Sequence, residues 1–296
     1  MSRLDLPAVR RFSWSVRREL WEYRSVYLAP AAVGAIVLAG FFISLASLPD
    51  RMRAARSLAP EQLRAAVEQP YLFAAILLMG ADMIVAVFYS LDALYGERRD
   101  RSVLFWKSLP VSDATAVLAK ASVPILVLPL VTFVATVATQ SVMLLASSIV
   151  LTTAGVETSA GWDRLSLFEF SRVNFGHLVL VHGLWHSPLY AWMLLVSAWA
   201  TRVPLLWALL PPVAVAVIER LAFNSTWFER LLYAIFLVGA EPSDMSAAPH
   251  PMTLDMLGAS EPLSRLLMSP ALWLAVTTTA VLLLGTVRLR RSRGAM

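Results

Sequence analysis

Cysteine is absent from the 296 residues of this chain, which removes both a disulfide framework and a thiolate metal site. Charge is scarce as well. Asp, Glu, Lys and Arg together make up 15% of the residues, against about a quarter in a soluble domain. No Gly-x-x-x-x-Gly-Lys-Ser/Thr sequence occurs, so the chain lacks the usual phosphate cradle. No internal repeat or low-complexity tract is visible. What fills the chain instead is apolar: 58% hydrophobic residues and a mean hydropathy of +0.66. That points to a bilayer rather than a water-facing core. The net charge of +5 is not read as a nucleic-acid footprint, because in so apolar a chain the placement of positive charge matters more than its sum.

The first apolar run, Val26 to Leu48, carries no charged residue. At 1.5 Å per residue it reaches roughly 34 Å, enough for a hydrocarbon core of about 30 Å. It is too long, and too poor in a cleavage site, for a signal peptide. Six spans are expected, over Val26–Leu48, Tyr71–Tyr95, Lys120–Ile149, Val173–Trp199, Pro204–Ile218 and Pro270–Val287. The expected fold is therefore all-α, a single polytopic membrane domain over residues 1–296. With both termini inside, sixteen Lys/Arg fall on inner segments and nine on outer ones, as the positive-inside rule requires. Of the outer segments, Asp50–Gln69 is expected to form a short amphipathic helix. Residues 219–269 make the longest outer loop, with irregular backbone around Glu241-Pro-Ser-Asp-Met-Ser-Ala-Ala-Pro-His-Pro.

Residues 1–25 precede the first span. Within them Val9, Phe12, Val16, Leu20 and Tyr23 recur at helical spacing, while Arg10, Arg11, Arg17 and Arg18 fall on the other side. This is the pattern of a helix lying in the membrane interface, its arginines on anionic lipid headgroups. Residues 96–113 differ in kind. Val103, Leu104, Phe105, Trp106 and Leu109 make the segment too apolar for a solvated loop. Glu97, Arg98, Arg99, Asp100, Arg101 and Lys107 make it too charged to span. A short helix ended by Pro110 is expected, after which Ser112 or Asp113 caps the next one.

Two polar features lie inside the spans. Asp82 sits near the middle of the second, where a carboxylate costs roughly 2.5–3.5 kcal/mol to insert. It is expected to face protein, a partner or water, and Tyr89 shares its helix face. The two residues line either a translocation path or a protonation site, or Asp82 makes a structural hydrogen bond to a neighbouring helix. His182 and His186 stand one helical turn apart, with His177 on another face. Such a pair can bind zinc, but Gly183 stands where a His-Glu-x-x-His protease has its general base, and no carboxylate at helical spacing completes a site. A structural or interfacial role is the reading adopted for the pair. Ala31, Ala35 and Ala39 form a small-residue stripe suited to close helix approach, either within the chain or to a second copy.

The segment Tyr95-Gly-Glu-Arg-Arg-Asp-Arg-Ser-Val-Leu-Phe-Trp-Lys-Ser-Leu-Pro-Val-Ser-Asp113 resembles the cytoplasmic segment of ABC-2 type transporter permeases. Arg17-Arg-Glu-Leu-Trp-Glu-Tyr-Arg24 resembles their elbow helix before the first span, and Ser187 to Pro211 is similar to bacterial members. The resemblance implies one half of an ATP-driven exporter in the cytoplasmic membrane of a bacterium. Its partners would be a second permease copy, identical or not, and ATPase subunits that hold the ATP and Mg. The chain itself would bind no cofactor and catalyse no reaction. Glu97, Arg98, Arg99, Asp100, Arg101, Phe105, Trp106 and Lys107 would form a coupling helix against the ATPase. The alternatives are an intramembrane metal-dependent enzyme using Asp82, His182 and His186, or a non-transporting membrane scaffold. No substrate is legible in the spans.

Overall fold

A backbone threaded through long uncharged runs has only itself for a hydrogen-bond partner, and helix is the solution. The computed structural model describes residues 8–55, 57–100, 111–156, 167–236 and 267–293, and every regular element among them is helical. In chain order these are α1 (Ala8–Glu22), α2 (Ser25–Ser44), α3 (Leu48–Ala55), α4 (Pro60–Asp92), α5 (Tyr95–Arg99) and α6 (Asp113–Ser122). They continue with α7 (Leu128–Thr153), α8 (Leu167–Gly176), α9 (Ser187–Trp199), α10 (Pro204–Phe223), α11 (Trp227–Phe236) and α12 (Pro270–Arg293). Two π-helical stretches, Val123–Val127 and His177–Trp185, join α6 to α7 and α8 to α9. Among the described residues, five helical stretches are long and apolar enough to cross a membrane, or six if the bent pair Leu167–Trp185 and Ser187–Trp199 counts as one span.

The boundaries differ from those expected, for identifiable reasons. The helix that carries the second span begins at Pro60, ahead of Tyr71, since a proline at the first helical position loses no bond that the helix would have made. Asp50–Gln69 is accordingly divided between α3 and the first turns of α4, and is not one short helix. The third begins at Asp113, capped as expected by Ser112, whose Oγ accepts from the Thr115 N–H at 3.1 Å. Lys120 therefore lies inside the helix. Pro124 then removes a donor and the ladder shifts into its π stretch. The fourth span bends by 43° at His186, next to Pro188. The expected loop over 219–269 is helical at its start: α10 runs to Phe223, Asn224 ends it in the left-handed region (φ 48°), and α11 follows. The Glu241–Pro251 stretch lies outside the described residues.

α1 packs on α6, α2 packs on α4 and α7, and α9 lies along α12. The close approach of α2 to α7 is made at Gly34, where a Cβ would meet Thr139 Oγ1 at 2.9 Å. Ala31, Ala35 and Ala39 are exposed, so the alanine stripe does not pack within the chain. One end of the bundle gathers α1, the C-terminal ends of α4 and α12 and the N-terminal end of α6. At the other end α3 meets the end of α7, where Arg53 donates to the Ala154 carbonyl at 3.2 Å around Leu48, Leu151 and Val156.

Candidate functional site

The gathered end holds a buried ionic cluster. Glu19 of α1, Glu97 of α5 and Lys120 of α6 are 1%, 2% and 1% exposed. Lys120 Nζ lies 3.0 Å from both oxygens of Glu19 and 3.1 Å from Glu97 Oε1. Arg18 reaches Glu19 at 2.5 Å and Glu97 Oε1 at 2.9 Å. From α12, Arg290 pairs with Glu97 Oε2 at 3.0 Å and with Asp113 at 3.1 Å. The Tyr89 hydroxyl donates to Glu19 Oε2 at 3.0 Å, and Tyr23 donates to Asp92 at 3.1 Å. Arg18, Lys120 and Arg290 face Glu19, Glu97 and Asp113, with Glu22 at the margin 3.9 Å from Arg18. Taking such groups out of water costs several kcal/mol per ion and is offset only by geometry of this quality. Burial alone would lower the proton affinity of Arg18, but Glu19 and Glu97 overcome it and hold the guanidinium above its ordinary value. Burial, with Asp92 and Glu22 nearby, pushes the Tyr23 hydroxyl up.

Short α5 is fixed on its other side by α9. The backbone N–H groups of Leu94 and Tyr95 donate to Ser197 Oγ at 3.1 and 2.9 Å. Arg98 donates to the Ser197 and Ala200 carbonyls at 2.5 and 2.8 Å, at the C-terminal end of α9 where cations are favoured. Of the expected coupling residues, Glu97 and Arg98 are thus engaged inside the bundle. Arg99 and Asp100 are exposed and pair with each other at 3.0 Å. Arg101, Phe105, Trp106 and Lys107 lie outside the described residues.

Ten residues back along α4, about 15 Å at 1.5 Å per residue, Asp82 forms a second polar layer. Its side chain is fully buried. Thr132 Oγ1 donates to Asp82 Oδ1 at 2.9 Å, and His182 Nδ1 lies 3.2 Å from Oδ2. The sequence offered no carboxylate at helical spacing to His182; the fold brings one from another helix. The His182 ring centroid lies 5.6 Å from that of His177 and 5.5 Å from that of His186. His177 therefore shares the face of the other two, against the expectation. The cause is the π stretch, in which residues five apart stack one turn above another. Gly183 allows this stretch to close on its counterpart, since a Cβ there would meet the Ile125 carbonyl at 2.6 Å. Tyr89 is buried on Glu19, so it and Asp82 belong to separate layers. Among the described residues, no group of three or more His, Cys, Asp or Glu is arranged to hold a metal ion.

Sequence reasoning did not single out Glu19, Lys120, Arg290 or Thr132, and it offered Asp113 only as a helix cap. Glu19 left a signal: it falls three residues after Val16 and four before Tyr23, on the apolar stripe of α1, where a solvated carboxylate would not sit. No family model matches the chain, and no curated protein or solved structure matches it either.

Proposed function

We propose that the chain is the membrane-spanning permease subunit of an ATP-driven exporter of the ABC-2 type, set in the cytoplasmic membrane of a bacterium. The observation that carries the reading is the position of Glu97. It opens the segment whose sequence resembles the coupling region, and its carboxylate is bonded to α1, α6 and α12. A push on residues 96–113 is thereby delivered to three other helices through charge pairs in a site of low dielectric, where they are stiff. On this reading α1 is the interfacial elbow helix and the gathered end of the bundle is cytoplasmic, with both termini inside. The exposed pair Arg99 and Asp100 meets the ATPase, which supplies ATP and Mg, and a second permease copy completes the path.

The test is charge reversal at the exposed positions. Arg99→Glu with Asp100→Lys is expected to abolish association with the ATPase subunit while the thermal stability of the permease stays unchanged. Intact association would remove this segment from the contact.

A further inference from the structure

The Asp82 layer lies apart from the charge pairs around Glu97. Its carboxylate sits at span level with Thr132 and His182 as its bonded partners. Neither is a Lys or Arg, in contrast to the cluster around Glu97. A carboxylate in such a place is too costly to keep charged without a counter-charge, and among the described residues beside it the groups able to supply one are imidazoles. We propose that the Asp82–His182 pair is a proton-binding site within the membrane domain, reached through His177. Uptake of one proton forms one N–H or O–H bond and takes the pair from one negative charge to none. The proton rests either on His182, as imidazolium beside the carboxylate, or on Asp82.

Three features of the fold support this. The π stretch His177–Trp185 puts three imidazoles in a row at ring spacings of 5.6 and 5.5 Å. The row runs from the half-buried His177 at the outside of the bundle to the buried His182 and His186, so the imidazoles lead inward to the carboxylate. Among the described residues packed on this layer, none adds a Lys, Arg or second carboxylate beside Asp82. From α7 comes Thr132; from α9 comes the Tyr190 hydroxyl, near Asp82 and donating to Met83 Sδ at 3.6 Å. The Val123–Val127 stretch carries no ionisable side chain, and α12 offers Thr279 on Ser187. The ionisable residues of α8, Glu169 and Arg172, are exposed and paired with each other at 2.9 Å.

With four histidines in the chain, imidazole protonation can be followed directly. The full chain, labelled with nitrogen-15 histidine and held in lipid nanodiscs, is titrated from about pH 5 to about pH 9, the range in which imidazole charge changes. Signals are assigned from His177→Gln, His182→Gln, His186→Gln and His250→Gln. A change in His182 protonation within this range is expected, and in Asp82→Asn it should be displaced or lost. In His177→Gln, proton exchange at His182 should slow several-fold. A His182 signal unchanged across the range in the wild-type chain would overturn the proposal and make the pair a fixed hydrogen bond. A step in Asp82→Asn at its original pH, in a variant with unchanged helix content, would overturn it equally. The wild-type titration stands even where a variant fails to fold.

Discussion

Glu97 and Arg290 lie 193 positions apart in the chain and 3.0 Å apart in space. The contact ties the end of the second span to the end of the last, and Lys120 brings in the third from the same carboxylate's other oxygen. Because the pairs are buried, removing one member leaves its partner charged in a place without water. Lys120→Ala or Arg290→Ala should each cost about 3–5 kcal/mol, read from unfolding in mixed micelles by tryptophan fluorescence. Glu97→Gln combined with Arg290→Gln should cost less than the two single losses added. Strict additivity would show that the two groups are not coupled.

The docking of α5 can be tested apart from that cluster. Ser197→Ala deprives the Leu94 and Tyr95 N–H groups of their shared acceptor. A loss of about 1–3 kcal/mol is expected, with faster amide hydrogen exchange confined to residues 94–99. Unchanged exchange there would place the restraint elsewhere, with Arg98 as the remaining anchor.

Two glycines make a controlled pair. Gly183→Ala sets a Cβ 2.6 Å from the Ile125 backbone carbonyl, which cannot move aside without shifting a helix. It should destabilise by about 1–3 kcal/mol. Gly80→Ala, in α4, meets nothing within 4 Å. It should leave stability unchanged or raise it by up to about 1 kcal/mol through helix propensity. Equal effects at the two sites would contradict the close contact of the two π stretches.

Much of the bundle was legible in the sequence because a membrane makes composition decisive: the apolar runs gave the spans, and Ser112 gave its cap. What was not legible depended on contacts between distant segments. The partnership of Asp82 with His182 cannot be read from either helix alone, since it joins residues 100 apart. The π stretches were hidden because a shift of the hydrogen-bond ladder leaves the apolar run unbroken: only the first contains a proline, Pro124, and His177–Trp185 contains none. The charges at Arg98 and Glu97 were noticed as charges. That they turn inward follows from Ser197, Lys120 and Arg290, which looked unremarkable in sequence.

A chain without cysteine is ready for topology mapping. With both termini inside, Ser292→Cys should react with an impermeant maleimide only after the cells are opened. Ser57→Cys, in the turn between α3 and α4, should react in intact cells. The opposite pattern would invert the topology and put the ionic cluster on the wrong side for an ATPase.

The central claim is that this chain is driven by a separate ATPase pressing near Glu97. Purification of the chain from its native membrane in mild detergent, with mass spectrometry of whatever accompanies it, addresses this most directly. The account predicts a stoichiometric subunit carrying a Gly-x-x-x-x-Gly-Lys-Ser/Thr sequence, lost on charge reversal at Arg99 and Asp100. A chain that is reproducibly isolated alone, folded and with its ionic cluster intact, would contradict it.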